Sequence, residues 1–245
     1  MKPIECDNIS KSYGSVQALK GVTLRVDEGE MYGVIGPDGA GKSSLFRILT
    51  TLTDPDRGVA RVLGLDTVKD YREIRSRIGY MPGKFSLYTS LSVQENVEFF
   101  ASLFGVTLQQ NYSLIAPLYS QIEPFRTRRA GALSGGMKQK LALCCALIHR
   151  PEVLILDEPT TGVDAVSRSE LWDLLATLRE KGITIIVSTP YMDEAARCDR
   201  LAMIHEGRIL TVDTPSAMAN MPNASLRQTA KKIEELFIKE MQVHE

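Results

Sequence analysis

The sequence predicts an α/β fold in which a parallel sheet carries a mostly helical inserted lobe. Three observations predict it. Residues 153–156 (VLIL) and 183–188 (ITIIVS) are continuous apolar runs, the pattern of strands buried on both faces of a parallel sheet. A helical stretch at 167–179 lies between them and completes a βαβ unit. A short apolar strand at 31–36 (MYGVIG) runs straight into a glycine-rich loop and then a helix.

The elements follow in chain order. Residues 3–9 and 18–27 read as strands separated by a turn at Gly14-Ser15. The helix after the glycine-rich loop spans 43–52, with Leu45, Ile48, Leu49 and Leu52 on one face. A strand and turn follow at 58–65, and Ile78–Met81 is a further strand. From residue 91 to 148 the strand signal fades. Val93, Val97, Phe100, Leu103 and Phe104 recur at helical spacing, and Ser92 with Glu95 three residues later starts that helix as a capping box. Strands return with the βαβ unit, and residues 201–204 and 208–212 make a last hairpin. The expected division is a sheet-bearing core at 1–82 and 150–220, a helical lobe at 83–149 and a helical tail at 221–245, all within one domain. In the tail, Leu226, Ala230, Ile233, Phe237 and Met241 mark one apolar face, flanked by Lys231, Lys232, Glu234 and Glu235.

Composition narrows the function classes. With 245 residues, 44% of them hydrophobic, and a net charge of −1, the chain supports one large domain with a sizeable core. Neither charge sign dominates, which argues against a nucleic-acid partner and against a polybasic membrane-surface protein. No stretch reaches the roughly 18 apolar residues of a spanning helix, and MKPIECDNIS lacks a secretory apolar segment. Cys6, Cys144, Cys145 and Cys198 form no metal-spaced pair, and His149, His205 and His244 are scattered. A reduced, cytoplasmic protein is expected.

Three segments carry chemistry. Gly36-Pro37-Asp38-Gly39-Ala40-Gly41-Lys42-Ser43, with Ser44 beside it, fits GxxxxGK(S/T) between a strand and a helix. Glycines let backbone N–H groups wrap phosphate oxygens, and the helix N-terminus adds positive potential. Lys42 offers a point charge to the β- and γ-phosphates, and the Ser43 hydroxyl suits Mg²⁺. The strand ending in Asp157 places a carboxylate at the carboxyl edge of the sheet, where it can serve the Mg²⁺ shell. Glu158 next to it can polarise an attacking water. The third segment, LSGGM at 133–137, sets Ser134, Gly135 and Gly136 at a helix start as a second anion nest. One triphosphate does not need two nests, so the second is most useful to a nucleotide held by another subunit.

Together with TTGVDAVSR and STPYMDEAARCDR, these segments resemble the nucleotide-binding subunit of ABC transporters over essentially the whole chain, and most of all the ATPases that partner ABC-2-type export permeases. The resemblance implies a phosphate-loop ATPase core with an N-terminal antiparallel β-subdomain and an inserted α-helical subdomain. It implies ATP and Mg²⁺ as ligands, ATP hydrolysis coupled to export, and two nucleotide-binding units that close head to tail. It implies a separate membrane permease, with this chain held at the inner face of the membrane. Tyr13 matches the aromatic residue that stacks on adenine. Ser134, Gly135 and Gly136 match the signature that binds the partner's γ-phosphate, with Met137 in place of the commonest glutamine, and Asp164 matches the aspartate that crosses the dimer seam. Residues 85–105 match the wall of the groove that receives a permease helix, and Arg126, Arg128 and Arg129 precede the signature as a basic turn.

Two positions depart from the family. Gly83, in GYMPGKFSLY, stands where the family usually has a glutamine that reaches Mg²⁺ and the attacking water. Pro190, in STPYMDEA, stands where it usually has histidine, and proline has neither an imidazole nor a backbone N–H. The expected consequence is intact Mg-ATP binding with slow hydrolysis, while the intact signature completes the site of a different partner subunit. An ordinary homodimer is the opposing arrangement. An ATP-gated regulatory module without turnover is the alternative function, and a soluble ABC ATPase acting on ribosomes or DNA is disfavoured by the near-neutral charge. Relatives with two fused units exist, so the chain can correspond to one half of a tandem.

Overall fold

The structure, a computed structural model, describes residues 2–221 and 225–243. Strands β1 (Ile4–Tyr13) and β2 (Val16–Val26) meet at a tight turn in which Gly14 adopts a φ of 58°. Strand β3 (Met31–Ile35), buried at all five positions, leads through the glycine-rich loop into α1 (Lys42–Leu49). Helix α1 stops earlier than its apolar spacing predicts. Thr51 turns to a φ of 62°, so Leu52 leaves the helical face and is 58% exposed. Strands β4 (Arg57–Val62) and β5 (Leu65–Asp66) then complete a four-stranded antiparallel sheet in the order β2-β1-β4-β5.

A short helix, α2 (Tyr71–Arg77), precedes β6 (Ile78–Met81). Three helices follow: α3 (Val93–Leu103), α4 (Leu108–Ile122) and α5 (Gly135–Leu147). The Ser92/Glu95 capping box starts α3 as its sequence predicts, and Thr107 with Gln110 caps α4 in the same way. The chain returns to the sheet at β7 (Val153–Asp157), crosses through α6 (Ala165–Glu180) and enters β8 (Thr184–Thr189). After the single turn α7 (Met192–Ala195) come the hairpin strands β9 (Arg200–His205) and β10 (Arg208–Asp213), then α8 (Pro215–Met218) and α9 (Leu226–Val243).

The second sheet runs β10-β9-β3-β8-β7-β6, parallel throughout except for β10 against β9. Its residues alternate between two cores. Ile35, Leu154, Leu156, Val187 and Met203 face the helical side, where α3 to α7 and α9 pack. Val34, Ile155, Ile186 and Ala202 face α1 and the antiparallel sheet. Burial on both faces explains the continuous apolar runs at β7 and β8. Helix α9 returns to this core through Ala230, Ile233 and Phe237, whereas Leu226 is 53% exposed and leaves the predicted apolar face. The Met241 side chain and His244 lie outside the described residues.

Candidate functional site

The carboxyl ends of β3, β7 and β8 lie side by side, in register from Ile35 against Thr189 and from Asp157 against Ser188. Each strand therefore delivers its loop to one edge, the place where open α/β sheets bind ligands. The glycine-rich loop is shaped by close approaches. A β-carbon on Gly36 would stand 2.2 Å from the Ile204 carbonyl oxygen. One on Gly41 would stand 2.5 Å from the Ala18 carbonyl oxygen, and the Gly41 φ of 109° is a conformation glycine tolerates far better than L side chains. The loop thus sits under the β1–β2 hairpin, and its amides lead into α1, whose first N–H groups have no carbonyl partner in their own helix.

A cavity of about 310 Å³ opens at this loop, lined by Ala18, Asp38, Gly39, Lys42, Ser43 and Glu158 among others. Lys42 is 4% exposed, and its Nζ donates to the carbonyls of Gly36 (2.8 Å) and Pro37 (3.1 Å). It also stands 3.3 Å from Glu158 Oε1. The ammonium is thereby held at the glycine-rich loop by two carbonyls and one carboxylate, a charged donor facing the cavity. Ser43 is exposed at the second position of α1, and Ser44 follows it half-buried.

Asp157 ends β7 and is 4% exposed. Ser188 Oγ donates to its Oδ1 at 2.6 Å. Glu158 follows with a φ of 50°, an uncommon conformation for a residue with a side chain. Its N–H is shared between the Ser188 carbonyl (3.1 Å) and Ser188 Oγ (3.0 Å), and its carboxylate accepts from Thr161 Oγ1 at 3.3 Å. The backbone strain is held by β8, so the Glu158 carboxylate is turned toward Lys42.

The two departures lie at this same edge. Gly83 follows β6 by two residues, and a β-carbon there would stand 3.2 Å from the Asp157 carbonyl oxygen and 3.8 Å from its Oδ2. A side chain at 83 would therefore reach the Asp157 carboxylate, and glycine supplies none. Pro190 directly follows β8 and is exposed. Behind it lies a brace that sequence reading missed. The Glu194 carboxylate, 2% exposed, accepts from Thr160 Oγ1 at 2.6 Å and from Thr189 Oγ1, with Arg168 Nε 3.7 Å away. The loop after β7 is tied in this way to the loop after β8. The only signal in the sequence was two hydroxyl residues, Ser188 and Thr189, directly after the aliphatic run Ile185-Ile186-Val187.

Ser134 caps α5, its Oγ accepting from Met137 N at 3.4 Å. Gly135 and Gly136 pack against the loop before α6 and against its first turn, where β-carbons would stand 2.8 Å from the Gly162 carbonyl and 3.0 Å from Ser167 Oγ. Asp164 caps α6 through Oδ1, and hydrogen bonds from Ser167 hold its carboxyl below the usual carboxylate range. None of Ser134, Gly135 and Gly136 lines the cavity at Lys42. Tyr13 does not line it either; it ends β1, 42% exposed, with Lys11 Nζ 5.7 Å from the ring centroid. Ala18, further along the same hairpin, does line the cavity.

Two other features need placing. Arg126, Arg128 and Arg129 are exposed, with the Arg128 guanidinium 4.5 Å from the Phe125 ring. A cleft of about 560 Å³ lies between the sheet and the helical lobe, lined by Arg47, Tyr80, Leu87, Phe100, Phe104 and His149 among others. His149 stacks on Phe104 at 3.7 Å with its Nε2 2.9 Å from the Ile78 carbonyl, and burial pushes its pKa down. The four cysteines are buried, and among the described residues no group of three or more His, Cys, Asp or Glu could hold a metal.

A GxxxxGKS loop and an acidic strand end on one sheet edge, with a Ser-Gly-Gly helix start elsewhere, define the fold of a phosphate-loop nucleotide-binding cassette. The chain belongs to the ABC transporter family, whose model matches residues 19–161. It is 36% identical over 237 residues to the probable multidrug ABC transporter ATP-binding protein YbhF of Escherichia coli, covering 96% of this chain. The chain spans 41% of the length of that relative. It is 39% identical over 219 residues to the Nod factor export ATP-binding protein I of Burkholderia lata, covering 88% of this chain and 72% of that one. Among solved structures, an ATP-binding subunit of an ABC transporter superposes with a TM-score of 0.84 at 28% identity, covering 97% of this chain and 99% of that one. The bacterial ABC transporter cassette MJ0796, solved as a dimer, gives 0.79 at 26% identity over 86% of this chain and 98% of its own.

Proposed function

We propose that this chain is the ATP-binding subunit of an ABC exporter, with a slow site of its own and an intact signature for a partner's site. Nucleotide phosphates would enter the cavity at Gly39, Lys42 and Ser43, and the adenine would stack on Tyr13 at the hairpin. Lys42 would leave the Gly36 and Pro37 carbonyls for phosphate oxygens. Glu158, released from Lys42, would be free to orient a water. The donor set fits Mg²⁺, since one hydroxyl (Ser43) and one carboxylate (Asp157) are what an ion that keeps waters and phosphate oxygens requires. That ion would offset phosphate charge.

The observation that carries the slow site is the bare edge beside Asp157. The backbone of Gly83 lies within side-chain reach of Asp157 Oδ2 and has no side chain to offer. Pro190 supplies no imidazole after β8. Loss of one preorganised stabilising group typically lowers turnover by about 10²–10³. The signature, remote from the cavity in its own chain, would serve a second cassette, and the dimer of MJ0796 supports that arrangement. A competent site then needs a partner that keeps the glutamine and histidine, so a different cassette fits better than a second copy. A fused second unit in a tandem protein fits equally well with the share of the Escherichia coli relative that this chain spans. The 560 Å³ cleft would seat a cytoplasmic helix of the permease, holding the chain at the inner face of the membrane.

Steady-state ATPase of the purified chain tests this. The expected result is weak turnover alone and much faster turnover with the second cassette, the fast component surviving Glu158→Gln in this chain. Vigorous turnover by the chain alone, abolished by Glu158→Gln, would sink the slow-site reading. Gly83 and Pro190 also favour a second reading, an ATP-gated module without turnover, which predicts binding with no stimulation by any cassette.

A further inference from the structure

We propose that Ser188 is a positioning residue for the Asp157 carboxylate, its hydroxyl orienting Asp157 toward the metal position while also accepting from the N–H of the left-handed Glu158. The inference rests on the nucleotide-site reading above and concerns one hydroxyl.

Ser188 closes the aliphatic run Ile185-Ile186-Val187 at 0% exposure. A buried hydroxyl is costly unless it is paired, and this one is paired twice. It donates to Asp157 Oδ1 at 2.6 Å and accepts from Glu158 N at 3.0 Å. The donation occupies Oδ1 and leaves Oδ2 as the available oxygen, on the side where a Gly83 β-carbon would stand 3.8 Å away. Among the described residues it is the sole side-chain hydrogen bond to Asp157. In a cassette with glutamine and histidine, other side chains would share the task of ordering this edge. Here Gly83 and Pro190 contribute none, so the orientation of the metal-facing carboxylate falls to Ser188. The acceptance from Glu158 N adds to the Ser188 carbonyl at 3.1 Å, so a hydroxyl deletion leaves the Glu158 turn with one of its two acceptors. The fold of the loop should therefore survive the substitution, while the carboxylate loses its anchor.

The test compares Ser188→Thr with Ser188→Val, which have nearly the same volume and differ in the hydroxyl, with Ser188→Ala as the smallest variant. Fluorescence of a methylanthraniloyl-ATP probe is titrated over a range of Mg²⁺ and repeated in EDTA. Partners that orient a metal ligand are worth about 10- to 100-fold in metal affinity. The valine and alanine variants should need about tenfold more Mg²⁺ or above to tighten the nucleotide, with unchanged affinity in EDTA, and the threonine variant should follow the wild type. Equal Mg²⁺ requirements for threonine and valine variants would overturn the inference, as would an equal loss of affinity in EDTA, the mark of a merely structural residue. A wild-type chain that binds no nucleotide at any Mg²⁺ would overturn both the inference and the reading beneath it.

Discussion

The two sides of the sheet edge are furnished differently. On the β3–α1 side every group that the proposed reading assigns to phosphate is present, from the packed glycines to a buried Lys42 already surrounded by acceptors. On the side reached by the loops after β6 and β8, the backbone is in place and positions 83 and 190 offer neither an amide nor an imidazole side chain. On the proposed reading the difference separates holding a nucleotide from cleaving it. Groups on the first side would act on charge that ATP already carries, whereas those on the second would act on water and charge that develop only in the transition state. Lys42→Met should break the first side outright. It removes the buried ammonium while keeping the length of the chain, so ATP affinity should fall about 100-fold, in line with ~3 kcal/mol for a hydrogen bond to a charged group. Calorimetric titration measures it, and a change below about threefold would place the nucleotide elsewhere.

The second side can be refurnished. Gly83→Gln combined with Pro190→His should raise turnover of the isolated chain about tenfold, and the gain should vanish on adding Glu158→Gln. The full 10²–10³ associated with a stabilising group is not expected. A β-carbon at Gly83 meets the Asp157 carbonyl at 3.2 Å, so the strand end must shift by a few tenths of an ångström before the new amide is well aimed. Steady-state phosphate release reads the change. No gain, with the variant folded and binding ATP normally, would mean that the bare positions are not what limits this site.

What was legible in the sequence follows the same divide. The phosphate loop is contiguous, so its residue types and order reveal it, and the two departures are visible because a strand fixes the place of each. Short or interrupted helices were not legible. Helix α2 buries only Ile74 and so has no periodic face, and α4 carries Pro117 in its interior. The Leu52 and Leu226 positions fit a helical period in sequence, yet α1 ends at a left-handed Thr51 and α9 buries its face only from Ala230 onward. The hydroxyl and carboxylate partners behind the site escaped because pairing is long-range. Ser188 meets Asp157 across 31 residues, and Thr160 meets Glu194 across 34. Only the sheet register brings such pairs together.

Those long-range contacts also qualify what is missing on the second side, which lacks reach but not rigidity. Glu194 binds hydroxyls from both loops, and Arg168, itself 5.0 Å from the Tyr191 ring, lies beside it. Glu194→Gln tests this with the mildest change available. The amide keeps one carbonyl acceptor and turns an N–H₂ toward a hydroxyl that can accept, so both threonines stay paired. What disappears is the charge that strengthens each bond and draws Arg168, a loss of about 1 kcal/mol. In a domain of this size that lowers the melting temperature by roughly 2–4 °C. Turnover stimulated by a partner cassette should be almost unaffected, because Glu194 itself bonds none of Ser134, Gly135 and Gly136 and the threonines it holds stay paired in the variant. A fall in melting temperature with no change in Mg²⁺ requirement would separate the brace from the proposed orienting role of Ser188. A rise in the Mg²⁺ requirement matching that of Ser188→Val would instead make the two carboxylate partners parts of a single ordering device.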